Sequence, residues 1–109
     1  MFYEMERFVE EGLLYDYYGA LLTSHQQRIY ELAVYQDLSL GEIAAGEKVS
    51  KQAVHDLLRR TTALLREYDE KLGLIEKSMR IRARAAEIEE KTDDEDIRGL
   101  ARAIAKESY

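Results

Sequence analysis

Apolar and polar positions along this 109-residue chain recur at three- and four-residue steps nearly from end to end, the period of an amphipathic helix and not of a strand. Phe8, Leu14, Tyr15, Tyr18 and Leu22 trace a stripe on a first helix over about residues 4–21. Thr23 opens a second helix, with Gln26 completing a capping box, and Ile29, Leu32, Ala33 and Gln36 follow its inner side. Ser39 and Glu42 repeat the box ahead of Ile43 and Ala44, and Ser50 caps a further helix on which Ala53, Val54, Leu57 and Leu58 share a face. Beyond it, Leu58, Thr61, Leu65, Tyr68, Leu72, Ile75 and Met79 are separated by 3, 4, 3, 4, 3 and 4 residues. That is a heptad seam. Only Gly73 interrupts a helix predicted from about Lys51 to Lys91, where it marks a bend. Thr92 and Glu95 read as a third capping box before a last helix striped by Ile97, Leu100, Ala101 and Ile104.

The pattern predicts an all-α chain in one helical domain: an N-terminal helix, a three-helix core over residues 23–60 and a long helical extension over 61–109. The core is expected around Ile29, Leu32, Leu40, Ile43, Val49, Val54 and Leu57. Within it, residues 39–60 read as a helix-turn-helix, whose second helix can lie in a DNA major groove. The bland alternative is an ordinary helical hairpin. Lys48 falls where such turns adopt a left-handed conformation that favours Gly or Asn. Either Gly46 absorbs the bend and Glu47 turns to solvent, or the turn is strained. Lys51, Gln52, His55, Asp56 and Arg59 are left facing outward; the first three reach base edges in a DNA-bound reading, while Arg59 and Arg60 meet phosphate.

Composition agrees with helices and narrows the chemistry. Proline and cysteine are absent, which removes helix breakers, disulfides and thiolate metal sites and suits a reducing compartment. No segment has the length and apolarity of a membrane span, and the N-terminus lacks a signal-peptide pattern. A cytoplasmic protein without membrane insertion is expected. With two distant histidines and no phosphate-cradling glycine loop, no catalytic constellation, metal site or cofactor is implied.

The net charge of −6 argues against indiscriminate binding of nucleic acid. Its distribution is uneven: residues 1–22 carry −4, 23–60 carry 0, 61–91 carry 0 and 92–109 carry −2, while 39–60 carries +1. DNA binding by one copy would be weak and salt-sensitive. Tyr15, Tyr17 and Tyr18 could stack bases, but Glu10, Glu11 and Asp16 beside them favour a core role. Lys77, Arg80, Arg82 and Arg84 form a basic cluster better read as a solvated, ion-paired helix face beside Glu76, Glu87, Glu89 and Glu90. The seam needs a cover. Either the N-terminal helix folds over it, or Leu65, Tyr68, Leu72, Ile75 and Met79 form a homodimer interface, and both can hold in part.

Four motifs in order, LLT followed by QQR (Leu21 to Arg28), SLGEIA (Ser39 to Ala44), SKQAV (Ser50 to Val54) and REYDEKL (Arg66 to Leu72), carry a resemblance. Across residues 13–75 the chain resembles the YlxM-type family of bacterial helix-turn-helix proteins and, more distantly, the promoter −35-reading region (region 4) of sigma factors. Glu47 departs from a position where that family is apolar, and His55 from one where it is aromatic. After Lys77 the resemblance carries nothing over. It implies a DNA-contacting helix at Lys51 to Arg60 and an association with the signal recognition particle pathway. The leading expectation is a non-enzymatic, dimeric DNA-binding regulator. The alternative is an accessory module of the targeting particle that binds its protein or RNA without reading DNA.

Overall fold

A computed structural model describes the backbone of residues 2–108 and the side chains of residues 9–108. Six α-helices follow one another: α1 (Phe2–Tyr18), α2 (Ser24–Val34), α3 (Leu40–Glu47), α4 (Lys51–Leu72), α5 (Leu74–Lys91) and α6 (Glu95–Glu107). A single 3₁₀ turn, Gly19–Leu21, closes α1, and the described residues contain no strand. The helices fall into two compact units, Met1–Leu72 and Gly73–Tyr109.

Local chemistry sets the helix starts. Thr23 and Ser39 each accept the amide of the residue three positions on, while Gln26 and Glu42 reach back to the cap amide. The Ser39 amide and then its hydroxyl hold the Glu42 carboxyl below its usual carboxylate range, so the support Glu42 gives α3 is present above that range and lost as pH falls through it. Ser50 accepts from the Ala53 amide at 3.0 Å to start α4. The third box does not form as expected. Asp94, not Thr92, caps α6 by accepting from Asp96 and Ile97, while Thr92 accepts from the Asp94 amide. An ionised carboxylate at a helix N-terminus gains from the helix dipole as well as from its hydrogen bonds, which favours it over a hydroxyl.

In the first unit, Ile29, Ile43, Ala44 and Val54 form a buried cluster, with Leu32, Ala33, Leu38, Leu40, Leu57 and Leu58 packed around it. Val49, expected in this core, is 50 % exposed because it follows the turn residue and lies outside both helices. Leu38, in the α2–α3 loop, takes part instead. On the other flank, α1 lays Leu14 and Tyr18 against the C-terminal half of α4. Phe8, assigned to the same stripe, lies outside the described side chains.

Tyrosines join these elements. Tyr15 stacks on Tyr30 at 5.4 Å between ring centroids and meets Tyr35 edge-on; Tyr18 lies 6.3 Å from Tyr68. Tyr18 donates to Asp69 at 2.6 Å, and the buried hydroxyls of Tyr30 and Thr62 pair at 3.1 Å. Leu65 and Tyr68 are thereby spent inside their own chain, Leu65 with no exposed surface at all.

The helix predicted from Lys51 to Lys91 is broken rather than bent. Gly73 has φ 61° and ψ 31°, so α4 stops at Leu72 and α5 restarts at Leu74. A residue without Cβ enters this left-handed region at little cost, which the 3–4 spacing of flanking apolar residues does not reveal. The break moves the seam by one position. The small residues Ser78 and Ala85 become the buried line of α5, which packs on α6 where Ala101 is buried, whereas Met79 is 51 % exposed. The second unit is thus a helical hairpin packed through small side chains.

Two predictions follow from the tyrosine contacts and from Gly73. Burial, only partly offset by the Thr62 hydrogen bond, pushes the Tyr30 hydroxyl up to about 12. Burial, reinforced by Glu31, does the same for Tyr15. Folded-state values above those of the unfolded chain mean this stabilisation is complete below about pH 10 and is lost as pH rises through 12. Urea midpoints should therefore fall across that window, and Tyr30→Phe should flatten the fall while costing about 1–2 kcal/mol at neutral pH through the orphaned Thr62 hydroxyl. Separately, Gly73→Ala should destabilise the chain by about 1–2 kcal/mol in chemical denaturation, the strain of a Cβ at positive φ.

Candidate nucleic-acid interface

The turn between α3 and α4 is closed by Lys48, at φ 59° and ψ 41°. Its amide and that of Val49 both bond to the Ala44 carbonyl, the Val49 bond at 3.1 Å, a Schellman-type ending that normally uses glycine. Gly46 stays inside α3 and takes no part in the bend. Of the two sequence readings, the strained turn is the one adopted. Glu47 does not turn to solvent either: its side chain is only 20 % exposed and accepts from Arg28 of α2 at 2.5 Å. An ion pair from α2 therefore occupies the position where an apolar residue was expected to fill the gap.

Above this turn, the first three turns of α4 bury Val54 and leave the opposite side bare. Gln52, His55 and Arg59 are exposed on that side, whereas Lys51, three residues before Val54, is exposed on the edge nearer α3. Lys51 lies over the start of α3, its Cε so near Gly41 that a Cβ there would sit 3.1 Å from it. The other three converge on Asp56. Gln52 Nε2 donates to Asp56 Oδ1 at 3.0 Å, while His55 Nδ1 and an Arg59 nitrogen lie 3.7 and 3.9 Å from the same oxygen. Asp56 is thus the hub of the cluster, which sequence reasoning saw only as one more outward residue. Part of the signal was present: Asp56 is four residues after Gln52 and three before Arg59, within helical contact range of both, whereas the adjacent His55 is not at a facing spacing.

Arg60 is placed apart. Its Nε bonds to the Asp56 carbonyl at 3.3 Å, and its side chain lines a groove of about 250 Å³ with His25, Glu47, Val49 and Leu57. The structure therefore brings Gln52, His55 and Arg59 together around Asp56, sets Lys51 over the start of α3 and places Arg60 on the neighbouring edge. Farther along α4, Arg66 reaches Glu10 of α1 at 3.0 Å. In α5, Arg80 lies 3.7 Å from Glu76. No group of three or more metal-ligating side chains occurs among the described residues, and no described helix is long and apolar enough to cross a membrane.

Residues 5–102 match the model of the family described as "Putative helix-turn-helix protein, YlxM / p13 like". The chain belongs to this family. The match continues past Lys77 and takes in most of the hairpin, beyond the stretch on which the resemblance was first seen. A UPF0122 protein of Symbiobacterium thermophilum is 42 % identical over 94 residues, covering 86 % of this chain and 88 % of that one. A UPF0122 protein of Desulforamulus reducens is 53 % identical over 73 residues, covering 67 % and 62 %. One from Acetivibrio thermocellus is 40 % identical over 102 residues, covering 94 % and 87 %. The family is described by its fold motif and not by a reaction.

The turn yields a direct test. Replacing Lys48 with Gly should raise stability by about 0.5–1 kcal/mol, because relief of left-handed strain outweighs the greater freedom of glycine in the unfolded chain. Thermal and urea melts of the two proteins measure it, with a circular dichroism spectrum checking that helix content is unchanged.

Proposed function

We propose that this protein is a non-enzymatic DNA-binding regulator that reads duplex DNA with the exposed side of α4. One observation carries the proposal: in a helix-turn-helix, the second helix presents Gln52, His55 and Arg59 together on the side away from buried Val54, with Lys51 exposed on the adjoining edge over the start of α3. Gln52 offers an amide suited to adenine, and His55 a ring nitrogen that donates or accepts. Lys51 and Arg59 supply the cations that phosphate requires. Asp56 holds Gln52 in place through their hydrogen bond, limiting the side-chain freedom it loses on binding. It also sets a carboxylate amid the cations, which weakens attraction to any duplex.

Two substitutions separate these roles. Gln52→Ala should cost roughly 1–3 kcal/mol on the preferred sequence and little on random duplex, the signature of a base contact. Asp56→Asn should tighten binding to all duplexes several-fold by removing the phosphate-repelling charge, and should steepen the salt dependence. Fluorescence anisotropy with a genomic-fragment pool, random duplex and structured RNA, at two salt concentrations, reads both effects. A preference for structured RNA over every duplex overturns the DNA reading in favour of the accessory role in protein targeting. So does Asp56→Asn without effect on affinity.

A further inference from the structure

The hairpin of α5 and α6 hides its small residues and shows its large ones. Ser78, Ala85 and Ala101 are its buried positions. Leu74, Ile81 and Ile88 on α5, and Ile97, Leu100 and Ile104 on α6, remain 37–65 % exposed in the whole chain. On each helix these six sit beside the buried line and not across from it, displaced in the same rotational sense. In an antiparallel pair, equal displacement brings both stripes to one face. Ile88 and Ile97 do line one concavity on that face, together with Arg84, Lys91 and Glu87, the last already paired with Lys91 at 2.6 Å. The result is a single layer of two helices with one uncovered aliphatic side, in a unit near the roughly 40-residue size below which a core of its own rarely suffices.

The rims of this face carry opposite charge. Lys77, Ile81, Arg84, Ile88 and Lys91 follow one another at steps of 4, 3, 4 and 3, so three cations flank the aliphatic stripe along the outer edge of α5. Asp96, Leu100, Ala103 and Glu107 are spaced 4, 3 and 4 and set two carboxylates along the outer edge of α6. A face basic on one edge and acidic on the other is complementary to itself under a two-fold axis parallel to the helices. That operation lays α5 of one copy over α6 of the other. Because the axis preserves height along the bundle, Lys91 arrives beside Asp96, and Lys77 beside Glu107. The other face-to-face arrangement, with α5 on α5, sets the basic edge against itself.

We propose that the hairpin is a self-association surface whose occupant is a second copy of this chain, α5 of each packed on α6 of the other in an antiparallel four-helix arrangement. Exposed aliphatic area on the order of 500 Å² per copy gives on the order of 1,000 Å² in the pair before the charged rims are counted, the scale of a specific interface. Of the positions first expected to form the dimer, Leu65 is sealed within its own unit, and the contact moves to the stripe displaced by Gly73. The inference rests on the hairpin alone, so its failure leaves the DNA reading of α4 intact.

Sedimentation of the full chain at about 50 µM tests it, a concentration at which micromolar association is nearly complete. The wild type should sediment as a dimer, and Leu100→Glu should weaken association at least tenfold with helix content retained. Lys77→Glu, at an exposed position, should weaken it several-fold with helix content retained, and adding Glu107→Lys should restore it. The chain lacks cysteine, so disulfide trapping reads the orientation. Lys77→Cys protein mixed with Glu107→Cys protein should cross-link between chains, whereas Arg84→Cys protein alone should not. A monomeric wild type overturns the proposal, as does a dimer indifferent to both Leu100→Glu and Lys77→Glu. Efficient self-trapping of Arg84→Cys overturns the α5-on-α6 arrangement.

Discussion

Everything in residues 1–72 depends on how α4 divides its circumference. A helix that packs against three others must bury one continuous side along its length. Here that side runs through Val54, Thr61, Thr62 and Leu65. The N-terminal stretch of the side receives Ile29, Ile43 and Ala44 and makes the helix-turn-helix. The C-terminal stretch receives α1, with Tyr18 beside Tyr68. The two stretches are one rigid rod, so the packing of α1 steadies the helix that carries the Asp56 cluster, although α1 contributes nothing to it. What remains free on the early turns of α4 is a narrow polar strip, and its composition decides what the unit can recognise.

Polar contacts within this packing fix its register. Aliphatic surfaces slide at small cost, since any close-packed arrangement recovers similar area. Buried hydroxyls do not slide, because each needs its partner within hydrogen-bond range. The pairing of Tyr30 with Thr62 ties α2 to α4, and that of Tyr18 with Asp69 ties α1 to α4. No described buried side-chain nitrogen or oxygen lacks a partner. The same logic accounts for the ion pair of Glu47 with Arg28: a carboxylate held at 20 % exposure on the inner edge of the turn is tolerable because a guanidinium from α2 meets it. A position expected to be apolar thus becomes a polar tie between α2 and α3.

Much of this architecture was legible because it is local. The boxes at Thr23 and Ser39, the cap at Ser50 and the stripe through Val54 each depend on residues three or four apart, and all appear where the spacing puts them. The left-handed turn at Lys48 was legible as a position, though not as a choice, since sequence cannot weigh strain at Lys48 against a bend at Gly46. What escaped was tertiary or conformational. Arg28 and Glu47 are nineteen residues apart, and no periodicity links them. Gly73 sits inside a spacing that satisfies a heptad on both sides, so the pattern reads through a residue whose backbone has left the helix. Asp94 displaced Thr92 because a run of acidic residues offers several candidate caps, and only backbone geometry picks one. Within the candidate interface, the residue types and the face were readable. The convergence on Asp56 was not read, although its spacing allowed it.

Under the DNA reading proposed above, that convergence bears on how the polar strip discriminates between ligands. A helix face with four donors and no internal partner would lie on any phosphate backbone, gaining affinity without discrimination. Asp56 takes one hydrogen bond from Gln52 and draws His55 and Arg59 toward the same oxygen. Under the proposed reading, Gln52 must leave or share that oxygen to serve a ligand, so a binding partner competes against a hydrogen bond already made. Such competition lowers affinity for a featureless polyanion more than for a surface that offers Gln52 a matched donor and acceptor pair, because only the second replaces what is given up. The overall charge of −6 acts in the same direction by weakening long-range attraction. Under the DNA reading proposed above, both features trade strength of binding for selectivity, and the second copy proposed for the hairpin would offset that trade by adding its contacts to the first.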